Sequence, residues 1–267
     1  MSTKNKMSTA QESFLRKHKR EILLVNIYRL IVFIAFFGLW EVSSRLKLID
    51  SFIFSSPSRI IKTFYNMLMD GSIFYHTGIT IFETLVSFSL GSILGIIIAI
   101  ILWWNKTIAK VLEPYLVVLN SLPKTALAPI LIVWLGNNMK SIIFTALTVS
   151  IVVTILNVYN GFINVEEDMI KLIYTFNGKK QDVLKKVILP SNIPTIISTM
   201  KINIGLSLIG VIIGEFLAAK AGLGYLIVYG SQVFRLDWVM MSIILLALLA
   251  TALYQGIVFI EKRIKRY

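Results

Sequence analysis

Glu215, Lys124 and Lys201 are ionisable side chains set in apolar sequence. A charge in hydrocarbon costs at least ~2.5 kcal/mol, so each must meet an opposite charge, water or the headgroup layer. Glu215 stands near the end of an apolar run. It is expected to face an aqueous cavity or the centre of a dimer, or else to be a solvated helix-end carboxylate. Lys124 lies between Leu122-Pro123 and Ala128-Pro129, where freed backbone groups must line protein or water. With Asn120 it could attract an anionic solute, or its long stem could snorkel to an interface. Lys201 is expected in an internal ion pair or against a headgroup. Gly222-Leu-Gly224 has the composition of a tight turn beside a gate segment. Asn120, Lys124, Glu215, Gly222 and Gly224 are therefore the candidates for a solute pathway or gate. Covalent chemistry has no matching residues. The chain has no cysteine, its histidines His18 and His76 stand apart where a metal needs several ligands, and it has no glycine-rich phosphate loop. A membrane-embedded enzyme would need converging His, Asp, Glu or Cys near one interface, and the sequence offers no such group.

A second kind of chemistry, recognition of a soluble partner, is readable in the polar stretch 160–192. In VEEDMIKLIYTF (165–176), Val165, Met169, Leu172, Ile173 and Phe176 recur at helical spacing. Glu166, Glu167 and Asp168 occupy the first turn, where the helix dipole favours negative charge. Asn177-Gly178 supplies a helix stop. A second short helix, 179–188, follows, with Val183, Leu184 and Val187 on one face, and Leu189-Pro190 is expected to end it. The result is a helix-turn-helix knob. Its apolar face could pack on the protein's own helix ends, or slot into a groove on a partner.

These residues must be positioned by a membrane-embedded scaffold. Hydrophobic residues make up 56% of the 267 and charged residues 15%, with mean hydropathy +0.77, against roughly 45–50% and 25% in soluble domains. Six segments reach the roughly 20 apolar residues a spanning helix needs: about 26–44, 79–103, 112–135 (interrupted at both prolines), 141–159, 193–218 and 239–260. The first is read as a retained helix, because no small-residue cleavage site follows it. Lys and Arg concentrate in alternate connections, seventeen against seven, which puts both termini in the cytoplasm with an even helix count. The net charge of +13 then reads as topology signal and attraction to anionic lipid, and nucleic acid is not an expected partner. Residues 1–25 form a polar cytoplasmic tail, 26–261 a single transmembrane domain, and 262–267 a basic cytoplasmic tail. The run 59–69 is amphipathic and is expected to lie along the outer membrane surface.

The stretch before Leu189-Pro190 resembles the cytoplasmic signature of binding-protein-dependent ABC importer permeases: Glu-Ala-Ala, three residues, Gly, nine residues, Ile, any residue, Leu-Pro. Val187 takes the Ile place, Asn177 the Gly place, and Lys171-Leu172-Ile173 the Glu-Ala-Ala place. Only Leu-Pro matches literally, and Lys171 reverses the charge at the Glu place. The nitrate/sulfonate/taurine-type branch of that family is similar elsewhere too: at Ser56-Pro57-Ser58, at 119–136 (LNSLPKTALAPILIVWLG), at 206–215 (LSLIGVIIGE) and at 221–227 (AGLGYLI).

The resemblance implies a six-helix, all-α, type I importer fold with a cytoplasmic coupling helix, in a homodimer embedded in the plasma membrane of a prokaryote. It implies two partners: a cytoplasmic ATPase dimer that holds the ATP and Mg, and an extracytoplasmic binding protein that delivers substrate. The chain itself is expected to be non-catalytic and to bind no cofactor. By the resemblance, Glu167, Asp168, Lys171, Leu172, Thr175, Phe176, Asn177, Gly178, Leu189 and Pro190 form the ATPase-docking loop. The substrate it implies is a small anion such as an aliphatic sulfonate, taurine or nitrate; the alternative is a thiamine precursor or a riboflavin-type vitamin. A stand-alone carrier is the competing class, and would call for an internal repeat that the sequence lacks.

Overall fold

The computed structural model describes residues 9–264, and every regular element among them is helical. Five helices are long and apolar enough to cross a membrane, six if one bent pair counts as a span. That agrees with the six expected segments. Residues up to Lys62 and residues from Thr63 onward form two compact units, described in turn.

In the first unit, α1 (Thr9–Arg45) is a single helix of 37 residues. It begins well before residue 26, because nothing in 9–25 is a helix breaker: Lys, Arg, Glu, Gln and Ala all favour helix. Its apolar side chains between Ile22 and Val42 are largely exposed, as a helix facing lipid or another subunit requires. Asp50 caps the short α2 (Ser51–Phe54) through the Phe52 N–H, at 2.8 Å. Helix α3 (Pro57–Met69) opens with a proline at its first position, and the Ser58 N–H donates to Glu41 at 3.0 Å.

The second unit is built on α4 (Ser72–Trp104), α7 (Met139–Ile163) and α11 (Ile193–Ala218). Their contacting faces carry small and hydroxylic residues: Thr84, Ser87, Gly91 and Gly95 on α4, Thr145, Ser150 and Thr154 on α7, Asn203 and Ser207 on α11. In lipid no hydrophobic drive brings helices together, so close backbone approach and side-chain hydrogen bonds must do it. Gly91 and Gly95 are the clearest case. A Cβ at Gly91 would sit 2.6 Å from the Ser150 hydroxyl, and one at Gly95 would overlap Thr154. The Asn203 amide donates to the Thr154 hydroxyl across the same seam.

Two caps set where the chain turns. Asn105 ends α4 in extended geometry and caps α5 (Lys106–Ser121) through the N–H groups of Thr107 and Ile108. Asn138 does the same for α7. Between them, α5 and α6 (Lys124–Leu135) bend by 96° at Leu122-Pro123, since the residue before proline is driven out of helical geometry. The expected second interruption at Ala128-Pro129 is absent. Pro129 sits inside an unbroken α6, because a proline removes one N–H and neighbouring groups in a membrane bundle can absorb that loss. Lys201 of α11 pairs with Glu261 of α13 (Leu236–Ile264), the internal partner expected of it.

Candidate functional site

The polar stretch 160–192 folds into α8 (Glu167–Thr175), α9 (Lys180–Val183), a π-helical turn (Leu184–Ile188) and α10 (Leu189–Ser191). Glu167 and Asp168 occupy the first turn of α8. Lys171, the reversed charge, stays on its own helix: its ammonium lies 3.4 Å from Glu167 and 3.3 Å from Asp168, all three exposed. Thr175 donates to the Lys171 carbonyl at 3.0 Å.

The turn after α8 divides its two requirements between two residues. Asn177 takes the left-handed conformation (φ +59°). Its N–H donates to the Tyr174 carbonyl and the Gly178 N–H to the Ile173 carbonyl, both at 2.9 Å, which is a Schellman closure. Gly178 supplies space instead of handedness: a Cβ there would lie 2.8 Å from the Ile173 oxygen.

The apolar residues of α8 split into two sets. Ile170 and Ile173, with Val165, pack on a core of Ala99, Val158, Phe162, Val183 and Ile188. Met169, Leu172 and Phe176 face away, 47%, 56% and 78% exposed, at spacings of three and four. The single face expected from the sequence, which joined Val165 and Ile173 to these three, is corrected: packing claims one side of the helix and leaves the other bare. The knob is anchored further by Lys180, which donates to the Trp104 carbonyl and lies over the Trp103 and Trp104 rings at 5.5 and 5.2 Å.

Pro190 does not end the second helix, as the sequence suggested. A proline ring clashes with the carbonyl four residues back, here that of Lys186. The π-helical turn removes the clash by widening: the Leu189 N–H reaches back five residues to the Leu184 carbonyl. The chain then continues through α10 to α11. At the start of α9, Asp182 accepts the Lys179 N–H at 2.9 Å. That bond, with Lys186 nearby, holds the Asp182 carboxyl below its ordinary range.

Three of the five pathway candidates meet at the far end of the bundle. Glu215 of α11 is 1% exposed, which removes the solvated helix-end reading. One carboxyl oxygen accepts the Thr80 hydroxyl at 2.7 Å; the other accepts the Gly224 N–H at the start of α12 (Leu223–Gln232). Gly222 has φ +120°, and a Cβ there would collide with the Glu215 carboxylate. The Gly-Leu-Gly turn is thus a backbone cradle for Glu215. Thr80 also accepts the Leu223 N–H at 2.8 Å, and His76 Nδ1 accepts the Gly222 N–H at 3.1 Å, while the His76 ring stacks on Tyr225. Asn120 and Lys124 lie elsewhere, at the α5–α6 bend, where the Lys124 ammonium donates to the Asn120 carbonyl at 2.8 Å and satisfies an acceptor the bend has freed.

Reasoning from sequence missed Thr80, His76 and above all Glu83. Glu83 is 1% exposed, and its carboxyl lies next to that of Glu215. The signal was a carboxyl inside the apolar run 79–103, which marks a functional candidate in any spanning helix.

Residues 91–266 match the family described as "Binding-protein-dependent transport system inner membrane component", and the chain belongs to that family. It is similar to the putative aliphatic sulfonates transport permease protein of Bacillus subtilis, 26% identical over 86% of this chain and 83% of that one. It is also similar to the formylaminopyrimidine transport permease protein of Halalkalibacterium halodurans, 27% identical over 72% and 76%. Its fold is like that of a chain in the inward-facing MetNI methionine ABC transporter, with a TM-score of 0.63 at 16% identity, covering 73% of this chain and 97% of that one. The protein is a multi-pass, non-catalytic permease of an ABC importer with the type I fold.

Proposed function

We propose that this chain works as a homodimer in the cell membrane of a prokaryote with both termini in the cytoplasm, driven by an ATPase dimer that docks on the α8 knob. The observation carrying the docking reading is the exposed Met169–Leu172–Phe176 stripe on a helix whose opposite side is fixed to the bundle. An anchored helix with a bare apolar stripe suits insertion into a groove of a soluble partner. Glu167, Asp168, Lys171 and Thr175 are the polar residues of the same helix that we assign to the docking surface. Asn177, Gly178, Leu189 and Pro190 set the knob's angle without touching the partner. ATP and Mg belong to the ATPase; when its subunits close, the knobs are drawn together and the bundles swing between two facing states.

For substrate, we infer a small sulfonate-type anion delivered by an extracytoplasmic binding protein, on the sequence likeness to the Bacillus subtilis relative. The competing reading, a thiamine-precursor or riboflavin-type vitamin, has the formylaminopyrimidine permease in its favour. Docking is tested by co-purifying the cognate ATPase with Leu172→Glu/Phe176→Glu permease. Loss of association with an unchanged elution profile is expected; undiminished association overturns the assignment. Ligand affinity measured on the cognate binding protein decides between sulfonate and vitamin.

A further inference from the structure

Helices α11 and α13 pack in opposite directions: Ile204 shares a buried cluster with Ile257, and the Lys201 ammonium lies 2.5 Å from the Glu261 carboxylate. Between them is a cavity of about 340 Å³, lined by Lys201, Ile204 and Gly205 of α11 and by Ala250, Leu253 and Tyr254 of α13. Gly205 keeps it open, since no atom lies within 4 Å of the place a Cβ would take there. Tyr254 is 45% exposed, so the cavity opens on the surface of the bundle, where a multi-pass protein meets lipid.

The depth of this groove is that of one leaflet. Ala250 is the middle residue of α13 (Leu236–Ile264). From there to Glu261 the helix rises about 16 Å, half of a hydrocarbon core ~30 Å thick. The lining thus begins at mid-helix and includes Lys201, whose ammonium sits at the level of Glu261. The wall is mainly apolar, and the Thr251 hydroxyl beside it is already spent on the Ala247 carbonyl at 2.8 Å. Lys201 has three N–H donors and one carboxylate partner, Glu261. Lys262 and Arg263 follow in the last turn of α13, both exposed, so three cations stand against one carboxylate near that level.

We propose that this groove binds an anionic phospholipid, one acyl chain along Ile204, Gly205, Ala250 and Leu253 and the phosphate on Lys201, with Lys262 and Arg263 beside it. Basic groups at headgroup level between spanning helices favour anionic lipid. A small soluble anion gains nothing from an apolar wall that reaches mid-helix. A second copy is disfavoured by charge: in a two-fold dimer a patch faces its own equivalent, which would set these cations against themselves.

The test is native mass spectrometry of the full-length permease, titrated with dioleoylphosphatidylglycerol or dioleoylphosphatidylcholine, whose equal chains leave the headgroup as the only difference. The wild type should retain one phosphatidylglycerol per chain at least tenfold more strongly than phosphatidylcholine, and millimolar inorganic phosphate should not displace it. Gly205→Leu, which fills the groove and leaves the ion pair in place, should weaken phosphatidylglycerol retention at least tenfold. Lys201→Gln should reduce the preference between the two lipids to less than threefold. Equal retention of both lipids by the wild type, which needs no variant to fold, overturns the proposal. So does displacement by phosphate, or retention unchanged in both variants. Thr251→Cys, in a chain with no other cysteine, should stay monomeric when membranes are oxidised; a disulfide between copies would show that a second subunit, not lipid, covers the groove.

Discussion

Substituting Gly222 by alanine should loosen the Glu215 cradle, and the structure allows the size of the effect to be worked out. Gly222 has φ +120° and ψ 167°, a region essentially restricted to glycine, so a side chain there costs on the order of 1–3 kcal/mol in backbone strain. The new Cβ also falls on the Glu215 carboxylate, which must move away from the Thr80 hydroxyl or the Gly224 N–H. Losing one charge-assisted bond in a buried setting costs about 1.5–3 kcal/mol. Together these come to roughly 2.5–6 kcal/mol, and at about 2–4 °C per kcal/mol for a unit of this size the unfolding midpoint should fall by roughly 5–24 °C. The assay is thermal unfolding in detergent followed by intrinsic fluorescence. Gly205→Ala serves as control, because Gly205 lies within α11 with open space at its Cβ position, and alanine there should hold or raise the midpoint. Equal midpoints for Gly222→Ala and the wild type would refute the cradle.

Gly178→Ala should break the Schellman closure and speed amide exchange in α8 by roughly 10–100-fold, the equivalent of about 1.4–2.8 kcal/mol. Asn177→Gly keeps the left-handed turn and should leave exchange unchanged; a fast-exchanging Asn177→Gly would contradict the division of labour between the two residues. The cap at α9 should depend on pH. Because the Lys179 N–H lowers the Asp182 pKa in the folded state, the cap is fully formed above the ordinary value of about 4 and is lost as pH falls through the lowered value. Protection of the α9 amides should follow that course in the wild type and be flat in Asp182→Asn; a flat wild-type profile would exclude the bond. Lys201→Met removes the ion pair with Glu261 and should cost about 1–3 kcal/mol, discounted for partial exposure. Lys201→Met/Glu261→Gln should recover most of it, and additive losses in the double-mutant cycle would show that the two residues act independently.

The spanning helices were legible because apolar length and proline placement are local properties. So was the Asn177 turn, since a left-handed stop depends on residue type. Lys201 was legible as a paired charge, although its partner, sixty residues further along the chain, was not. Failures came where a third element decided the outcome. The face of α8 divides in two because Phe162 and Ile188 cover only one side of it, and helical spacing does not report coverage. Pro129 and Pro190 share a residue type but not surroundings: one rests inside an intact helix, the other is absorbed by a widened turn. Glu83 was passed over because it stands in a run otherwise suited to lipid. Its importance follows from its place beside Glu215, which belongs to a different helix, α11.

The widened turn before Pro190 also fixes a phase. Each residue of helix advances the chain by about 100°, and the stripe Met169–Leu172–Phe176 is aimed relative to α11 through every residue between them. Removing one residue from 184–188 would restore ordinary winding there and force the chain between α8 and α11 to realign. The number of residues separating Asn177 from Pro190 therefore behaves like the tooth count of a gear: side chains along it can be exchanged, whereas insertions or deletions throw the transmission out of mesh.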